Sequence, residues 1–99
     1  MGKFVQVIEF TTTRGSEIEQ LYASFADKLA SQGRTGGGVV CADRDRPNHY
    51  FAIVNFESYD KAMENSSQPD TQEYAERFAA LCDGPPQFYN LDVIRELPA

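Results

Sequence analysis

From Lys3 to Phe10 apolar residues fall on both alternating sets, Phe4, Ile8 and Phe10 on one (with Gln6 among them) and Val5 and Val7 on the other. That pattern predicts a strand with two apolar faces. Thr11 to Gly15 reads as a loop. Ser16 and Glu19 then match the Ser-x-x-Glu capping box, and Ile18, Leu21, Tyr22, Phe25 and Leu29 recur at spacings of three and four. They predict an amphipathic helix closed by Gly33. Gly36 to Gly38 lead into a short strand over Val39 to Ala42. Asp43 to Asn48, with Pro47, is a turn. Tyr50 to Phe56 is the third strand, again apolar on both faces. Ser58 caps a short helix through Asn65, and Pro69 opens another to about Cys82. Asp83-Gly84-Pro85-Pro86 stops it, and Phe88 to Leu97 is the last strand.

The order β-α-β-β-α-β, with the second helix broken in two, predicts an α+β class of ferredoxin-like fold: an antiparallel sheet with helices on one face. Ninety-nine residues make one domain, 1–99. The helices cover only one sheet face, and large apolar patches are rarely left open on monomers. A symmetric homodimer with the two sheets face to face is the economical cover, making a homodimeric α/β barrel.

The formal net charge of −6 argues against nucleic acid, because phosphate binding needs clustered Lys and Arg. It argues equally against an anionic membrane surface, and no apolar run is long enough to span a bilayer. The N-terminal segment shows no signal-peptide core, so the expected location is cytoplasmic. Cys41 and Cys82 belong to no CxxC pair or Cys/His cluster, so no metal site is expected, and both read as reduced, buried thiols.

The run from Tyr50 to Ala62 resembles the strand-to-helix segment of the dimeric α/β-barrel superfamily, and more narrowly its antibiotic biosynthesis monooxygenase-like group. Asn65-Ser66-Ser67-Gln68-Pro69 matches the break that this group places between its helix pieces. Leu81-Cys82-Asp83-Gly84-Pro85-Pro86 matches its frequent Leu-x-x-Gly-Pro-Pro ending. The resemblance implies a ferredoxin-like homodimer with a cavity between sheet and helices in each subunit. In that group some proteins oxidise quinol-like aromatics with oxygen and no cofactor; others degrade haem, isomerise or bind small molecules. The chain has no Trp, which both the cofactor-free aromatic oxygenases and the haem degraders of the group commonly place in the cavity, and Thr71 to Phe78 contains no His to serve as a haem ligand, so haem degradation is not implied.

The candidate site residues follow from type and place. Asn55 interrupts an apolar strand face, where an amide either holds a substrate oxygen and stabilises a developing enolate or bonds to backbone at a dimer seam. Tyr22, Tyr74 and Tyr89, with Phe25 and Phe78, lie on faces expected to point inward, and they either line an aromatic pocket or fill the core. Arg77, three residues after Tyr74, either meets an anionic intermediate or is a solvated helix charge. The catalytic candidates are Asn55, Tyr74 and Arg77; the substrate-binding candidates are Tyr22, Phe25, Phe78 and Tyr89. His49 reads as an exposed turn histidine with no identified partner. The glycines 36–38 follow a helix and open a strand, the reverse of a phosphate loop, so they read as a turn or a close backbone approach.

Two functions are open. One is a cofactor-independent monooxygenase-like enzyme acting on a small aromatic or quinol-type molecule. The other is a non-catalytic homodimer that binds a small ligand or is structural. A cavity with convergent polar groups favours the first; an interior filled by Phe25, Tyr74 and Phe78 counts against the first and favours the second.

Overall fold

The computed structural model describes residues 3–98. Its elements are β1 (Phe4–Thr11), α1 (Gly15–Ser31), β2 (Gly38–Ala42), β3 (His49–Phe56), α2 (Tyr59–Ser66), α3 (Pro69–Leu81) and β4 (Gln87–Asp92). The strands form one antiparallel sheet in the order β2-β3-β1-β4, the ferredoxin-like arrangement.

The register fixes which side chains share a face. Phe4 pairs with Phe56, Gln6 with Val54, Ile8 with Ala52 and Phe10 with Tyr50. This set faces the helices. Phe10 and Ala52 pack against Ile18 of α1 and Phe78 of α3, while Phe4 and Phe56 pack against Ala62 of α2. Gln6, the polar member of the set, donates to Asn90 Oδ1 of β4 at 3.1 Å. The opposite face carries Val5, Val7, Phe51 and Ile53, with Val39, Tyr89 and Leu91 toward its edges. Among these, Val39 is 57% exposed, Leu91 47% and Tyr89 42%. The expected second apolar face is therefore present and open.

Three local readings are corrected. Ser16 does not cap α1: the helix begins at Gly15 with no side-chain cap, and Thr12 Oγ1 instead accepts from the Arg14 amide at 2.9 Å. β4 ends at Asp92 rather than Leu97, because its ladder partner β1 begins at Phe4, which pairs with Asp92. Ile94 and Leu97 lie beyond the ladder and are exposed. Cys41 is exposed, because it sits on an edge strand; Cys82 is partly buried, and both are free thiols.

Thr12 ties the end of β1 to the end of α3. It is 1% exposed and donates to the Leu81 carbonyl at 2.7 Å. Thr11 accepts from the Asp83 amide at 2.8 Å, so the Asp83-Gly84 turn is pinned where the helix gives way to β4.

Candidate functional site

The C-terminus of α1 builds the first wall. Gly33 takes φ 63°, its amide bonds to Ala30 O at 3.1 Å, and the Arg34 amide bonds to Leu29 O at 2.9 Å. This pair of bonds is a Schellman closure, for which glycine pays no side-chain clash. It turns the chain so that Arg34 points across to the break between α2 and α3.

Arg34 spends its whole donor fork there. Nε donates to Asn65 Oδ1 at 2.9 Å, one terminal nitrogen to Gln32 Oε1 and Asp70 Oδ2 at 2.8 Å each, and the other to Asp70 Oδ1 at 3.0 Å and Thr71 Oγ1 at 2.8 Å. Five bonds match the five N–H groups of a guanidinium, so no donor remains for a ligand. Arg34 thus clamps α1 to the α2–α3 break. Lys28 adds a second ion pair to Asp70 at 3.1 Å. The bidentate Arg34 bond, reinforced by Lys28, holds the Asp70 carboxyl far below the usual carboxylate range.

Beside this clamp lies a groove of about 940 Å³, within the usual range for small-molecule sites. Val5 and Val93, both partly exposed, give it apolar surface over the buried Phe4 and Phe56, and Asn55 and Asn65, with Lys61, Glu57 and Glu64, give it polar groups. Asn55 stands at the end of β3, where its backbone exchanges bonds with Gly36 and Gly37 at 2.8 Å each. It pairs with Val5, so the groove reaches around the sheet end onto the open face.

The other sequence candidates are placed elsewhere. Phe25 stacks on Tyr74 with centroids 4.3 Å apart, Tyr74 stacks on Phe78 at 5.9 Å, and Tyr22 meets Tyr74 edge-on at 5.9 Å. Phe78 continues edge-on into Phe10 at 4.8 Å. These rings fill the layer between α1, α3 and the sheet. Burial pushes both phenols above their ordinary values; the neighbouring Tyr22 hydroxyl adds to the rise at Tyr74. Phe25, Tyr74 and Arg77 do meet, with Asp70 and Lys28, around a surface hollow of about 160 Å³, too small for a drug-sized ligand. Tyr89 is corrected outright: it pairs with Val7 and lies on the open sheet face, away from Tyr22 and Tyr74.

His49 also departs from expectation. Its Nε2 lies 2.8 Å from Glu9 Oε2, its side chain is 14% exposed, and Tyr89 donates to Glu9 Oε1 at 2.9 Å. The strand pairing of β1 between β3 and β4 brings these three together, a contact that no local sequence pattern announces. Asn65 and Arg34 were missed for a similar reason. The available signal was a polar residue three positions after Ala62, on the apolar side of a short helix. Among the described residues no cluster of His, Cys, Asp and Glu could hold a metal ion, and no helix is long and apolar enough to cross a membrane.

The chain is a ferredoxin-like α+β protein with a groove at one end of its sheet. No protein-family model matches the chain, and no curated protein matches it in sequence. Solved structures do match. SnoaB, a cofactor-independent oxygenase from Streptomyces nogalater, in a variant with one asparagine replaced by alanine, aligns over 100% of both chains with a TM-score of 0.86 and 23% identity. A candidate antibiotic biosynthesis monooxygenase from Caulobacter crescentus aligns over 95% of this chain and 92% of its own, with a TM-score of 0.82 and 14% identity. Another from Bordetella bronchiseptica covers 96% of this chain and 100% of its own, at 0.80 and 17%. The chain has the fold of the antibiotic biosynthesis monooxygenase structures over its whole length.

Proposed function

We propose that the chain is a cofactor-independent monooxygenase-like enzyme whose substrate is a small aromatic of the hydroquinone type, bound in the groove beside Asn55. The observation that carries this is the coincidence of apolar side chains, Val5 and Val93, with two carboxamides in the lining of one cavity of suitable size. A flat aromatic ring lies in the groove. The Asn55 amide donates to a phenolate oxygen and stabilises the charge that develops there. The phenolic proton passes to solvent. The electron-rich ring carbon then bonds one atom of dioxygen, the O–O bond breaks, and the second atom leaves as water. The sum is hydroquinone plus dioxygen giving hydroxyquinone plus water, with the substrate supplying all the electrons. The oxygenase activity named for SnoaB, which shares the fold, supports the reading.

The working form is a homodimer. Val5 and Asn55 belong to the open face as well as to the groove, so a second copy seated on that face borders the site. The tight stack of Phe25, Tyr74 and Phe78 favours a second reading, a non-catalytic ligand-binding dimer, because it leaves no aromatic-lined cavity between helices and sheet.

Oxygen uptake with naphthohydroquinone, corrected for autoxidation, separates the two. Uptake by the wild type that falls about a hundredfold in Asn55→Ala matches loss of an oxyanion donor. Uptake at the buffer rate would leave only the binding reading.

A further inference from the structure

We infer that the Asn65 carboxamide is a fixed hydrogen-bond donor to the groove, built to take a carbonyl or phenol oxygen of the ligand. The inference rests on the groove being the binding site, as proposed above, and adds to Asn55 a second donor held in place by the fold.

Three facts carry it. Asn65 is 8% exposed, yet it borders the groove. Its Oδ1 is occupied by Arg34 Nε at 2.9 Å, and Thr71 Oγ1 approaches the same oxygen at 3.5 Å. Arginine has donors only, so the atom facing it must be the oxygen, and the orientation of the amide is settled without ambiguity. Nδ2 therefore points the other way. Among the described residues it donates to no protein acceptor, and it is not sealed from solvent.

A nearly buried amide with one end saturated keeps its two free N–H groups for an acceptor in the groove, water in the free protein and a ligand oxygen in its place. The surroundings select the acceptor. Lys3, Lys61 and Arg34 balance Glu57, Glu64 and Glu96 on the same groove, which favours a ligand without net charge, while Val5 and Val93 favour an apolar body. A neutral aryl ketone or phenol satisfies both. Because Arg34 has spent every donor, it offers the ligand no hydrogen bond; its effect is to orient the amide.

The test uses two probes with the same skeleton, α-tetralone, which carries a carbonyl oxygen, and tetralin, which does not. Binding to the whole protein is read by NMR titration. Asn65→Asp keeps the acceptor for Arg34 but replaces the donor with a carboxylate. We expect it to weaken α-tetralone about tenfold, the scale of one lost hydrogen bond, and to leave tetralin unchanged. Unchanged α-tetralone affinity in Asn65→Asp, with a clear loss in Asn55→Ala, would overturn the Asn65 inference while sparing the groove. If the wild type binds neither probe, or binds both without change in either variant, the groove reading falls and this inference with it. Should Asn65→Asp fail to fold, the wild-type side-chain amide resonance of Asn65 decides. A shift with α-tetralone and none with tetralin supports donation; equal response to both overturns it.

Discussion

The imidazole of His49 and the carboxylate of Glu9 lie 2.8 Å apart across the β1–β3 ladder, on the sheet face that no helix covers. Tyr89 completes the group from β4 through the other carboxylate oxygen. The Tyr89 bond first, and the His49 bond second, hold the Glu9 carboxyl below its ordinary value. A depressed carboxylate favours the folded state above its unfolded pKa, and the benefit is lost as pH falls through the lower folded value. The unfolded value for glutamate is about 4.3, so the loss begins near there and continues downward. Glu9→Gln is expected to flatten the fall of Tm with pH below about 5, measured by thermal melts at constant ionic strength. An unchanged acid limb would mean that the pair contributes nothing to folding.

Arg34 gives a larger effect, because its five bonds join three elements. Arg34→Ala removes the guanidinium donors from the oxygen atoms of Asn65, Thr71 and Asp70, leaving Lys28 on Asp70. The expected destabilisation is about 2 kcal/mol, and a domain of this size then melts roughly 10 °C lower. Asp70 lies well below its ordinary range, so its contribution is full near neutrality and fades below about pH 4, where the unfolded carboxylate takes up protons. The gap in Tm between wild type and Asp70→Asn should narrow as pH drops through that window.

Gly38 shows why the glycine run cannot be filled. A Cβ there would overlap the Ile53 carbonyl oxygen and press on the Val54 Cα, both backbone atoms of β3. Gly37 adopts φ 90° but has open space around it. Gly38→Ala is expected to cost about 2–3 kcal/mol through displacement of the β2 edge. At Gly36 the nearest atoms are 3.5 Å away, an ordinary contact, so Gly36→Ala should cost less. Denaturant melts of the two variants give the comparison directly.

The element order was legible because each element carries its own signal: alternation in the strands, a three-and-four repeat in α1, Pro69 at the start of α3. Strand register follows once Phe4, Phe10, Ala52 and Phe56 must share the helix side. The groove was not legible. Arg34 meets Asp70 thirty-six positions away, and His49 meets Glu9 forty positions away. Such partners are chosen by topology, not by local pattern. Tyr89 failed in a simpler way. β4 has large side chains on both faces, Phe88 toward the helices and Tyr89 away from them, and its sequence alone does not say which side is inward. Asn55, which borders the groove, stands out in the sequence because an amide in an otherwise apolar strand is conspicuous.

The open face makes its own prediction. Leu91 and Val39 stand at opposite edges of it, on β4 and β2, with Val5, Val7 and Ile53 between them. If a second copy covers this face, Leu91→Glu buries a charge in an apolar seam, a cost that a typical dimer does not survive. Sedimentation velocity at micromolar concentration should show a dimer for the wild type and a monomer for the variant. A wild-type monomer would mean that the face is tolerated in water.

Tyr74 separates the two possible sites most cleanly. Its ring is stacked between Phe25 and Phe78, and burial holds its phenol above the ordinary range. It is thus poorly suited to pass protons at neutral pH, and it borders the small hollow beside Arg77, not the groove. Tyr74→Phe keeps every ring contact and removes only the hydroxyl. If the chemistry runs in the groove, oxygen uptake in Tyr74→Phe should stay within about twofold of wild type while Asn55→Ala loses about a hundredfold. The reverse pattern, a large loss in Tyr74→Phe with Asn55→Ala active, would move the reaction into the aromatic layer. That layer would then have to open to admit a substrate, because Phe25 and Phe78 occupy the space on either side of the phenol.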